Sequence, residues 1–298
     1  MHEQLHLLDE VKPLRDPVFI CGFTGWTDSH GAANGVVQYL AEQWNAKPLA
    51  EIVPEPYYDF TVQRPRSRNE GMTRVLDWPS NRFSVASPEG ADRDVLLFSG
   101  IEPHLRWRSF IDAIVEMLEY TRSTTSVTLG VQPGAVPHTR TAPVTLSASD
   151  DEFETQFGLR IPVSRYEGPT GLMSVLNLRL RAMDWRNASL WAIVPHYLNV
   201  GPNPNAMASL VRMLDRGYGT HTSLAGIDTM ITDFNQKLDS ALEPSGEAAA
   251  YVRTLEEQYD AQHANDGSTE PVDLGRTEDI LGDLEQFLRE HRDEGPKA

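Results

Sequence analysis

SVTLGVQPGAVPHTRTAPVTLSASDDEFETQFGLRIPVSRYEGPTGLMSVLNLRLRAMDWRNASLWAIVPHYLNV, residues 126–200, alternates apolar runs with three polar turns. The turns are Pro137-His138-Thr139-Arg140, Glu167-Gly168-Pro169-Thr170-Gly171 and Pro195-His196-Tyr197. Runs 126–131 and 189–194 have the length and apolar continuity of buried strands, and 142–148 and 161–166 read as shorter extended pieces around a helix within 150–157. The middle turn opens a further helix, with Leu172, Met173, Leu176, Leu180 and Met183 on one stripe. Each turn thus follows a strand-like run. In an open α/β sheet the loops at the carboxyl ends of the strands meet on one edge, where ligands bind. The three turns are expected to build one surface there.

The same grammar extends in both directions. Residues 17–21 (PVFIC) read as a buried strand that runs into Gly22-Phe23-Thr24-Gly25-Trp26. A helix follows, carrying Ala32, Ala33, Val36, Val37, Leu40 and Trp44, with Asp28 or Ser29 expected as its N-cap. The glycines at 22 and 25 do not spell GxGxxG and no Walker lysine follows, so the turn reads as close helix packing rather than as a nucleotide loop. Residues 48–53 suggest another strand, and Tyr57–Trp78 a hairpin around Glu70-Gly71. Arg64, Arg66 and Arg68 lie along it, either as a holder of an anion or acidic partner, or as a charged, solvated edge. Residues 94–98 (DVLLF) lead through Glu102 to a helix bearing Trp107, Phe110, Ile111, Ile114, Val115 and Leu118. Pro204 opens one more. Strand–helix alternation predicts an α/β sandwich around a mostly parallel sheet over residues 1–220. Residues 221–298 read instead as a helical, acidic C-terminal region. Its stripes are Leu224–Leu238, Val252–Tyr259 and Ile280–Leu288.

Composition narrows the function. The chain has 298 residues, 40% hydrophobic and 23% charged, ordinary for a globular protein that buries a proper core. Its formal charge of −17 argues against general binding to nucleic acid or an anionic membrane. A single cysteine, Cys21, permits no internal disulfide and reads as a small buried residue. The start lacks a basic then apolar segment, and no run is long enough to span a bilayer, so a cytoplasmic location is expected.

Signatures of chemistry are sparse. There is no HxH, HExxH or cysteine cluster, so no metal and no cofactor are expected. No GxSxG pentad occurs. Thr170, at a helix start, is expected as an N-cap, beside backbone N–H groups able to hold a carboxylate or phosphate. His138 and His196 could approach one another across the edge.

The turns PHTR (137–140), YEGPTG (166–171), WAIVPHYL (191–198) and PNPNA (202–206), with GFTGW (22–26) and GIEPHLRW (100–107), resemble the proteasome assembly chaperone 2 family. TEDILGDLEQFLREH (277–291) is similar to the tail of its actinobacterial members. The resemblance implies a phosphorylase/hydrolase-like three-layer core, a helical C-terminal hairpin or bundle, and self-association, a trimer being one form. It also implies proteasome subunits as partners. The sequence ends Glu294-Gly295-Pro296-Lys297-Ala298, without the hydrophobic-tyrosine motif that relatives insert between ring subunits, so docking by the tail is not expected.

Two functions follow. The first is a non-enzymatic, oligomeric binding or assembly protein. The alternative is an enzyme or sensor for a small anionic, nucleoside-like or phosphorylated ligand. Its binding residues would be Gly22, Phe23, Gly25, Trp26, Glu102, His138, Thr139, Arg140, Gly168, Thr170, Gly171 and His196. A third, purely structural reading has these residues only setting and tying the loops.

Overall fold

The computed structural model describes residues 2–10, 12–28, 31–162, 166–198, 201–241 and 246–263. In chain order the elements begin β1 (Leu5–Leu7), β2 (Val18–Thr24), α1 (Ala32–Gln43), β3 (Lys47–Ile52), β4 (Arg66–Glu70), β5 (Thr73–Asp77), β6 (Arg82–Ala86) and β7 (Val95–Ile101). They continue α2 (Trp107–Thr121), β8 (Thr125–Gly134), β9 (Val144–Ala148), α3 (Glu152–Phe157), α4 (Leu172–Arg181) and β10 (Arg186–Pro195). The described helices end with α5 (Pro204–Tyr218), α6 (Ala225–Ala241) and α7 (Glu247–His263).

Eight strands form one sheet in the order β1-β3-β6-β7-β2-β8-β10-β9. Its centre, β7-β2-β8-β10, is parallel. The flanking strands β1, β3 and β6 on one side and β9 on the other each join their neighbours by antiparallel pairing. Among the described residues, strands β4 and β5 pair only with each other, as a separate ribbon.

The central strands are buried on both faces, which is why they read as unbroken apolar runs. Alternation along β2 shows the two layers. Val18 and Ile20 join the core under α1, α3 and α5, with Val127, Leu129, Leu190 and Val194. Phe19, Cys21 and Phe23 join the opposite core under α2 and α4, with Phe98, Phe110, Leu176 and Leu180. This is the expected three-layer architecture, with helices α6 and α7 beyond it.

One polar knot interrupts the second layer. Asn177 of α4 donates from Nδ2 to Ser189 (2.8 Å) and Thr128 (3.1 Å), whose hydroxyls bond each other at 2.6 Å. Asn187 donates to the Asn177 carbonyl (3.0 Å) and accepts from Arg181 Nε (3.0 Å). Buried donors must find acceptors, and these find them in one another, while Asn177 Oδ1 is buried without a hydrogen-bond partner among the described residues. The knot therefore pins α4 at one height on β8 and β10.

Some details differ from the expectation. Strand β1 is too short, at three residues, and β6 too mixed in its alternation of exposed and buried positions, to announce themselves. Positions 161, 162 and 166 are not strand, and 163–165 lie outside the described residues. So does the third C-terminal stripe, Ile280–Leu288, and so does Ser29. The N-cap position of α1 is Gly31, in the left-handed region. Asp28 still serves that helix, because its carboxylate accepts the Asn34 N–H at 2.9 Å.

Candidate functional site

The loops after β2, β7, β8 and β10 all leave the parallel centre at its carboxyl edge, the place where α/β sheets hold ligands. The expected residues occur there in two groups.

The first group surrounds Glu102, just past β7. Its carboxylate accepts the Trp26 N–H at 2.8 Å and the Leu172 N–H at 2.7 Å. Leu172 begins α4, so Glu102 places a negative charge where the helix presents unpaired N–H groups and the positive end of its dipole. The N-cap position is Gly171, with no side-chain cap. Thr170 is thus not the cap expected from sequence, because a carboxylate from another loop does that work. At the start of α4 the carboxylate that takes the Leu172 N–H is the chain's own Glu102.

The glycines of this group follow from the same contact. A Cβ on Gly25, whose φ is +151°, would lie 2.6 Å from Glu102 Cβ and 2.8 Å from Oε2. One on Gly171 would lie 2.8 Å from Thr27 Cγ2 and 3.3 Å from Glu102 Oε1. Two backbones close on one carboxylate, and only glycine allows both approaches. Beside Glu102 lies an open cavity of about 380 Å³, lined by Thr24, Gly25, Trp26, Gln63, Ile101, Glu102, Pro103, His104, Trp107 and Thr170. Trp26 is 70% exposed at its mouth. Trp107 is half-buried, its indole N–H donating to the Pro103 carbonyl at 2.6 Å.

Gly22 and Phe23 are placed differently. Both belong to β2 rather than to the turn. Gly22 lies under α1, where a Cβ would meet the Ala33 carbonyl at 2.6 Å, so the close-packing reading holds for it. Phe23 is buried among Phe98 and Phe110, inside the second core. Gly168 is exposed and folded under Tyr166, whose hydroxyl donates to the Pro169 carbonyl at 2.8 Å.

The second group sits past β8 and β10. His138 Nδ1 and Tyr197 Oη are 2.7 Å apart, and the His138 N–H donates to the same oxygen at 2.9 Å. His196 Nδ1 lies 3.0 Å from the Gly134 carbonyl. The two histidines do not face each other directly: Tyr197 stands between them, edge-on to both. Burial pushes the Tyr197 hydroxyl up to about 12, against the opposing effect of the His138 N–H, so it is neutral near pH 7.

Helix α7 lies across this group. Arg140 donates from Nε and Nη2 to the two carboxylate oxygens of Asp260, at 2.8 and 2.7 Å, and from Nη1 to Glu256 at 3.2 Å. Thr139 donates to Glu256, Tyr259 donates to the Thr141 carbonyl at 2.9 Å, and Tyr251 Oη is 3.2 Å from His196 Nε2. The hydrogen bonds that Arg140 donates to Asp260 raise its pKa and hold its charge more firmly than usual. Sequence reading missed these partners, because they come from the far end of the chain. Their only signal was a pair of carboxylates four apart, Glu256 and Asp260, on one helix face.

The PAC2 family model matches residues 22–241, and those residues contain both groups. The chain belongs to the PAC2 family. A PAC2 family protein from Streptomyces avermitilis is 35% identical, covering 80% of this chain and 100% of that one, with a TM-score of 0.71. A proteasome-assembly chaperone homologue from Mycobacterium tuberculosis is 37% identical, covering 79% of this chain and 99% of that one, with a TM-score of 0.69. An archaeal proteasome activator from Pyrococcus furiosus shares the fold, at 14% identity and a TM-score of 0.64. No curated protein matches this PAC2 chain. Among the described residues no helix is long and apolar enough to cross a membrane.

Proposed function

We propose that this PAC2 protein is a non-enzymatic, self-associating binding protein that handles proteasome subunits in the cytoplasm, with residues 1–220 as its core and the acidic helical region as an attached module. The observation that carries this reading is that the charged rim groups are consumed within the chain. Glu102 occupies the start of α4, and Asp260 and Glu256 occupy Arg140. Such groups hold loops in place and leave surface, rather than a reactive centre, for a partner. Likeness to a proteasome-assembly chaperone homologue supports the choice of partner. Native mass spectrometry of the full chain with proteasome α-subunits tests it. A complex is expected, and its absence at micromolar concentration would remove the chaperone role.

A second reading, a sensor or enzyme for a small molecule, is favoured by the cavity of about 380 Å³ flanked by Trp26 and Trp107. Glu102 in its wall disfavours phosphates and other anions, against the anionic ligand first considered. A thermal-shift screen of neutral and cationic aromatic compounds would support it through stabilisation that Trp26→Ala abolishes. A flat screen would count against it.

A further inference from the structure

The ribbon formed by β4 and β5 is not absorbed by either rim group. Every residue of β4 is exposed, and in β5 only Val75 is half-buried. A two-stranded hairpin in water is marginal without a surface to pack on. This one is rooted at its base by Phe60 edge-on to Trp78, with ring centroids 5.0 Å apart, and is stiffened by Arg68 bound to Asp77 at 2.9 Å. Among the described residues its outer parts pack on no other element.

Two kinds of group are displayed there. Val62 (69% exposed), Met72 (fully exposed), Leu76 (54%) and Trp78 (48%) gather large apolar side chains on and beside the ribbon. Such gathering, unlike a lone exposed leucine, marks a contact surface. The segment 64–82 also holds five arginines against two carboxylates, within a chain whose formal charge is −17. Both carboxylates, Glu70 and Asp77, are engaged by Arg68 alone. No ion pair among the described residues engages Arg66 or Arg74. The pairing register places Arg66, Arg68 and Val75 on one face and Arg74 and Leu76 on the other, so each face offers cation and hydrocarbon together.

We infer that this ribbon is the arm by which one copy of the chain grips a second copy, its arginines and apolar residues lying on the acidic surface of that copy. The inference rests on the self-association proposed above and names its contact. Charge decides the occupant: a surface complementary to a cationic arm must be acidic, and a second copy of this chain, whose formal charge of −17 is concentrated in its C-terminal region, offers one. Arm against arm would oppose arginine to arginine, which excludes a two-fold pairing of ribbons. The contact therefore joins the basic arm of one copy to a different, acidic patch of the other, reciprocally in a two-fold dimer or head-to-tail in a larger assembly.

The test uses the full chain in native mass spectrometry and light scattering, with Met72→Asp/Leu76→Asp and Arg66→Glu/Arg74→Glu as separate double variants. The wild type is expected as an assembly of two or more copies that loosens as salt rises. Both variants are expected to run as single chains, with melting temperatures within a degree or two of the dissociated wild type, since no core residue changes. A wild type that assembles together with variants that assemble equally well would overturn the arm while leaving self-association intact. A wild type that is a single chain would overturn both. Assembly only with added proteasome subunits, lost in the variants, would assign the arm to a different occupant and overturn the second copy.

Discussion

Replacing Glu102 with alanine probes the rim most directly. The substitution removes two accepted N–H bonds, from Trp26 at 2.8 Å and Leu172 at 2.7 Å, and an anion at the start of α4. The Trp26 N–H is near solvent and can turn to water, so its loss costs little. The Leu172 N–H is partly buried and loses a cap, about 1 kcal/mol. Loss of the charge opposite the helix dipole adds roughly 0.3–1 kcal/mol. Together these predict a loss of ~2 kcal/mol for Glu102→Ala, or a melting temperature lower by about 4–8 °C in a domain of this size. Glu102→Gln should lose about half as much, because an amide oxygen can serve one donor while its NH2 faces the other. Urea unfolding should be read at moderate salt, where the long-range effect of removing one of many negative charges is screened. Formate or acetate should restore part of the loss in Glu102→Ala and nothing in the wild type, where the position is already filled. A variant within 0.5 kcal/mol of wild type, or one indifferent to added carboxylate, would refute the claim that Glu102 organises this edge.

Three other outcomes are expected. Arg140→Ala breaks exposed ion pairs worth about 0.2–1 kcal/mol each, so hydrogen exchange across 247–263 should quicken several-fold while amides of β2 stay protected; unchanged exchange in α7 would refute the latch. Burial pushes Asp94 up, but the Arg15 N–H, the Arg15 guanidinium and the Ser87 hydroxyl together outweigh it, leaving its carboxyl below the usual range. Its folded pKa is thus lower than its unfolded one, near 3.9, so its contribution is present above about pH 4 and lost as pH falls through the folded value; Asp94→Asn should flatten that acid limb of the stability curve. Cys21 is buried and its thiol is pushed far up by burial, so a thiol reagent should label it only in denaturant, and rapid native labelling would contradict its place in β2.

The layered core was legible because its central strands are hydrophobic on both faces and its helices carry regular stripes. Strand β6 was not, since Arg82 is exposed and Ser84 half-exposed between Phe83 and Val85, a pattern that half-buried antiparallel strands share with loops. At the rim, Gly25, Glu102 and Gly171 could each be flagged as loop residues near strand or helix ends. Their partnership could not, because 70 to 76 residues separate Glu102 from the groups it binds. The same holds for Arg140 and Asp260, which are 120 positions apart. Local pattern reports burial; it carries no record of which distant loop supplies a counter-charge. Thr170 illustrates the error that follows, since a hydroxyl in the right position suggests a cap until a stronger acceptor arrives from elsewhere.

The knot around Asn177 has a mechanical consequence. A helix seated by leucines alone can ratchet along a sheet at modest cost, exchanging one hydrocarbon groove for the next. An amide bolted to two hydroxyls admits no such neighbouring notch, because a one-residue slip would strand every donor in a dry interior. Any shape change that accompanies partner capture must therefore be carried by the loops and the outlying helices, with α4 as the fixed post against which they swing.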